Sequence, residues 1–123
     1  MANQDTQLLK GILSMLLLQI LRDDKDYGYS LVVRLQSAGF IGLTEGTVYP
    51  ALSRLEAKGW LESHLVPSES GPARKYYRST LAGSDELARA TSAWRSVVEN
   101  VDRVMTDSEL PPPPSDPRKK LTS

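Results

Sequence analysis

The chain has 123 residues, 40% of them hydrophobic and 24% charged, a balance that suits one small globular domain. Fifteen Lys and Arg offset fifteen Asp and Glu, so bulk charge announces no nucleic-acid partner, and any such partner must be met by a local patch. There is no cysteine, which excludes disulfides, thiol nucleophiles and zinc–thiolate sites and fits a reducing cytoplasm.

The apolar run from Leu8 to Leu21 is broken by Lys10, Ser14 and Gln19, too short and too interrupted for the roughly 20 apolar residues that span a bilayer. Arg22 and Asp23 follow it in place of the small residues of a cleavage site, so it does not read as a signal sequence. The run predicts a first helix from about Thr6 to Arg22. Its apolar residues lie on nearly every face, which demands burial on two sides and, in so small a domain, points to a second subunit.

Asp26 is the predicted cap of a second helix, Gly28 to about Ala38, with Leu31, Val32 and Leu35 in one stripe and Gly39 as its stop. Thr44 is the predicted cap of a third, which runs to Lys58 before Gly59 and turns Val48, Ala51, Leu52 and Leu55 inward. Pro50 lies past the first turn, where it removes one backbone bond and crowds the carbonyl of Gly46. The helix therefore bends there or starts nearer Pro50.

Trp60 to Val66 and Arg74 to Ser79 predict a hairpin around a loop over residues 67–72. Thr80 caps a long last helix, with Asp85 and Glu86 near its positive end. Along it Leu87, Ala90, Trp94, Val97, Val101 and Val104 fall at spacings of 3, 4, 3, 4, 3, a heptad seam whose natural partner is its own copy from a second chain. Residues 108–123 hold five of the eight prolines and almost nothing apolar, which predicts a disordered tail. The expected class is mainly α with a small β-hairpin: a winged helix-turn-helix over residues 6–79, a C-terminal dimerisation helix over 80–107, and the tail.

An enzyme is not expected. The only histidine is His64, on a hairpin strand, and no acid–base pair presents itself. Asp23, Asp24 and Asp26 lack the alternating pattern of a calcium loop, so neither metal nor cofactor is expected.

In a helix-turn-helix the second helix of the motif enters the major groove. Here that is Thr44 to Lys58, where Gly46 and Pro50 permit close approach. Thr47 and Ser53 can hydrogen-bond base or phosphate, Tyr49 can reach a phosphate, and Arg54 and Lys58 neutralise phosphates. The bland reading is that Arg54 and Lys58 are solvated charges balanced by Glu45 or Glu56. The wing weighs against it, because Arg74, Lys75 and Arg78 stand without an acid between Ala73 and Thr80.

At these residues a resemblance becomes specific. The run Thr44–Pro50 (TEGTVYP), then Arg54-Leu55-Glu56, Gly59, Arg74–Arg78 (RKYYR) and Thr80–Gly83 (TLAG), resembles the PadR family of bacterial transcriptional regulators. Tyr27–Tyr29 (YGY) matches the start of the family's second helix. The resemblance implies a winged-helix domain, a C-terminal dimerisation helix, double-stranded DNA as partner, and repression at inverted-repeat operators, sometimes relieved by aromatic compounds. Tyr29 and Tyr76 join the expected DNA-facing set.

Trp94 stands where the family's smaller members keep a tryptophan at the dimer centre. It reads either as an apolar anchor of the interface or as a platform for a planar aromatic effector, with Leu8, Met15 and Val98 as walls. The rival to DNA binding is a winged-helix module that contacts another protein, which the zero net charge favours.

Overall fold

The computed structural model describes residues 6–106 and 110–115. Its elements in chain order are α1 (Thr6–Ile20), β1 (Asp26–Tyr27), α2 (Gly28–Ser37), α3 (Glu45–Ala57), β2 (Leu61–Ser68), β3 (Gly71–Ser79) and α4 (Leu81–Thr106). The strands form one antiparallel sheet in the order β1-β3-β2. Four helices with this sheet make the expected winged helix-turn-helix followed by a long C-terminal helix.

One core holds α1, α2, α3 and the sheet together. Leu13, Leu17, Leu18 and Leu21 meet Leu31 and Leu35 of α2, the α3 stripe Val48, Ala51, Leu52 and Leu55, and Leu61, Tyr77 and Leu87. At about 1.5–3 kcal/mol for each fully buried leucine, this cluster outweighs the surface ion pairs, at about 0–1 kcal/mol each.

Four local expectations need correction. Asp26 does not cap α2; Tyr27 occupies that position with no side-chain cap. Asp26 sits one residue earlier in β1, opposite Tyr77, where its carboxylate accepts bonds from Tyr27 N, Ser30 Oγ and Arg34 Nη1. It is 8% exposed, and these three donors stand where water would otherwise satisfy the carboxylate.

The hairpin is tighter than a loop over residues 67–72, since Ser68 pairs with Gly71 and both strands run past the prolines. Pro67 falls at the irregularity between Val66 and Ser68, where a missing N–H costs no ladder bond. Strand β1 escaped detection because two residues carry no period. Finally, α3 does not start nearer Pro50: it spans Glu45–Ala57 with Pro50 inside it, its other face held by the buried stripe.

The entry to α4 explains the motif Thr80–Gly83. Thr80 Oγ1 accepts the Gly83 N–H at 3.0 Å, capping the helix, and donates to the Gly59 carbonyl at 2.6 Å. Gly83 packs so closely that a Cβ there would collide with the carbonyl oxygen of Trp60 and stand 2.6 Å from Ser79 Oγ. Trp60 is half-buried against the core, with Lys58 Nζ 4.7 Å above its ring.

A first compact unit runs to Thr91 and a second begins at Ser92. Leu110 to Ser115 form neither helix nor strand, and the rest of the expected tail lies outside the described residues.

Candidate nucleic-acid interface

α3 divides cleanly. Its stripe is 0–1% exposed, whereas Gly46, Tyr49, Pro50, Ser53 and Arg54 face outward, followed by Lys58; Thr44 is exposed at the helix start and Thr47 is half-buried. The Thr44 carbonyl accepts the N–H groups of Thr47 and Val48, so the helix begins there without a side-chain cap. Every α3 residue expected to meet DNA is thus at least partly open to solvent.

Beside α3, the start of α2 and strand β3 form a cleft of about 420 Å³. Four of the expected residues, Tyr29, Tyr49, Arg74 and Lys75, line it together with Tyr27, Gly28, Leu52 and Tyr77. Tyr49 lies so near α2 that a Cβ on Gly28 would stand 2.6 Å from its Cε1, which accounts for the glycine between Tyr27 and Tyr29. Burial and the Glu45 carboxylate raise the Tyr49 phenol above its ordinary pKa, so at neutral pH it carries a proton to donate. Phenol hydroxyls beside the Arg74 guanidinium suit phosphate oxygens.

The bases are less free than their number suggests. Arg74 lies 4.5 Å over the Tyr27 ring, Lys75 pairs with Glu56 at 3.2 Å, and Arg78 pairs with Glu62, its cross-strand neighbour, at 2.5 Å. Lys58 lies over Trp60. Among the described residues, Arg54 is the one base of this patch with neither an ion pair nor a ring contact.

Glu56, read from sequence as a counter-charge for Arg54 or Lys58, instead accepts a bond from Ser63 Oγ at 2.5 Å and meets Lys75. The Ser63 bond first, then Lys75, holds its carboxyl below the usual range. Tyr27, Ser63 and Glu56 were not legible as site residues, because their roles depend on which strands lie beside α3. Tyr76 is half-buried, with its ring 5.2 Å from that of Tyr27 and 6.3 Å from that of His64.

The model of the PadR-like transcriptional regulator family matches residues 17–89, more than half of the chain. The chain belongs to this family. A PadR family transcriptional regulator from Eggerthella lenta is 35% identical, with a TM-score of 0.75 over 81% of this chain and 87% of that one. A PadR-like regulator from Bacillus cereus is also 35% identical, with a TM-score of 0.72 over 80% of this chain and 96% of that one. An uncharacterized protein of Lysinibacillus sphaericus is 27% identical over 106 residues, 85% of this chain and 97% of that protein. PadR-like regulators are non-enzymatic DNA-binding proteins, and no helix among the described residues is long and apolar enough to cross a membrane.

The last helix of this PadR-like chain, α4, has 26 residues and is about 39 Å long at 1.5 Å per residue. Leu87 of the predicted seam is 7% exposed and belongs to the core of its own unit. The later positions are open: Trp94 is 41% exposed, Val97 52%, Val101 50% and Val104 52%. Ala90 is half-buried. Of the residues expected around an effector, Met15 is half-buried against the core, while Leu8, Trp94 and Val98 are exposed.

Proposed function

We infer that the protein is a transcriptional repressor that binds a pseudo-palindromic operator as a homodimer. α3 enters the major groove with Thr47, Tyr49, Ser53 and Arg54 toward the bases and backbone, and Tyr29 and Arg74 meet phosphates from the flanking cleft. The observation that carries this reading is the division of α3, one face spent on the core and the other presenting hydroxyls and Arg54 beside the cationic cleft.

Dimerisation through the seam from Ala90 to Val104 supports two reading heads about one helical turn of DNA apart. Three valines and a tryptophan at heptad spacing, half exposed in one copy, suit a second copy of the same helix. A planar aromatic effector stacked on Trp94 would induce by preferring a dimer whose reading heads are misplaced for the operator. A tryptophan-fluorescence titration with planar aromatics tests it, with Trp94→Ala as control; quenching that survives the substitution assigns the signal to Trp60.

One observation favours the rival, a protein-docking winged helix: four of the patch's five bases are already partnered within the chain. Mobility shift and footprinting on the DNA upstream of the protein's own gene, at two salt concentrations, separate the two. A protected inverted repeat whose affinity falls with salt is the expected result. No binding to that fragment or to a random duplex at low salt sinks the DNA reading.

A further inference from the structure

Glu56 lies in the last turns of α3 and reaches both strands of the wing. Its Oε2 accepts the Ser63 hydroxyl of β2 at 2.5 Å, and its Oε1 meets Lys75 Nζ of β3 at 3.2 Å. The same ammonium stands 5.4 Å from the ring centroid of Tyr77, which is buried and is the ladder partner of Ser63. A single carboxylate therefore joins α3 to both strands, at ladder positions two residues apart: Ser63 lies opposite Tyr77 and Lys75 opposite Leu65. Strand alternation sets Lys75 and Tyr77 on the α3 side, whereas Arg74 reaches over Tyr27.

We propose that Glu56 is a positioning residue that fixes the wing against α3, with Ser63 and Lys75 as its two holds, and that Lys75 serves this clamp and does not neutralise a DNA phosphate. Electrostatics supports the pairing. A bare carboxylate on the helix that faces a polyanion would repel it, and Lys75 cancels that charge. The two groups stabilise each other's ionised form, Glu56 being held low by Ser63 and Lys75, and Lys75 raised chiefly by Glu56. The side chains keep 34% and 47% of their exposure, so the pair adds little to global stability and acts on local geometry.

The DNA part of this inference rests on the function proposed above, and the test keeps the two apart. Amide exchange across the β2–β3 ladder is measured on the free full-length protein for wild type, Glu56→Gln, Lys75→Met and Lys75→Arg. The first two variants should speed exchange in the wing by about two- to fivefold, the range an exposed ion pair carries, while α1 amides are unchanged and Lys75→Arg restores protection. Equal wing exchange in all four proteins overturns the clamp.

Affinity is then measured against salt, using a fragment from upstream of the protein's own gene and a random duplex of equal length. Lys75→Met should weaken binding to the upstream fragment by about two- to fivefold with the wild-type slope, whereas Arg54→Ala lowers the slope by about one unit. A slope lowered by about one in Lys75→Met makes Lys75 a phosphate contact and overturns the proposal. Should wild type bind neither duplex, the DNA reading falls while the exchange measurement still decides the clamp.

Discussion

Leu17 of α1 and Val101 of α4 are both aliphatic residues at helical spacing, yet the first is fully buried and the second half exposed. α1 finds α3, α2 and the sheet around it, so four of its leucines vanish from solvent. The distal half of α4 presents a seam just as regular, and its residues stay open. Periodicity states which face wants covering; it does not say whether the cover comes from the same chain. The proposed pairing of two such helices would cover this seam, since exposed apolar stripes are costly to leave in water.

Charge at the seam is the strongest way to break this comparison. Val97→Asp should yield monomers by light scattering and lower operator affinity by at least about a hundredfold, since the second half-site contact would lose its effective concentration. A variant that still runs as a dimer would return the seam to solvent and undo the contrast. Next in size is Leu17→Ala, which should cost about 2–5 kcal/mol in denaturant unfolding, because the surrounding leucines cannot collapse into the void. A loss under about 1 kcal/mol would mean that α1 is less enclosed than its burial states.

Gly83→Ala probes the first turn of α4, where the helix is seated on the core unit. The new Cβ meets the Trp60 backbone, so a loss of about 1–3 kcal/mol is expected without change of oligomeric mass. The smallest effect concerns acid. Glu56 titrates below its ordinary value, so its contribution is complete above the usual glutamate range and fades as pH falls through the lowered value. Wing amides should therefore lose about two- to fivefold of protection in acid, and this extra loss should vanish in Glu56→Gln.

Much of the fold was readable from local signals. The spacing of Val48, Ala51, Leu52 and Leu55 marked the inward face of α3, and Thr80 announced its cap before a helix that does begin at Leu81. Pairings between distant segments were not readable. Asp26 looked like a cap from its position before a helical pattern, and only β1 alongside β3 turned it toward Ser30 and Arg34. Glu56 looked like a helical counter-charge, and only the register of the wing gave it Ser63 and Lys75.

The PadR-like motif and the helical periods determined, with no coordinates, that this chain folds as a winged helix with a long terminal rod. The helices and turns are set by neighbours three or four residues apart and by turn chemistry, and the family resemblance implied their assembly. Tertiary structure alone decided which charges are spent: Arg74 on a ring, Lys75 and Arg78 on carboxylates, Arg54 left open. The physical reason is that an ion pair needs atoms within about 4 Å, and which side chains come that close is set by strand register and helix packing, over separations that no local pattern encodes.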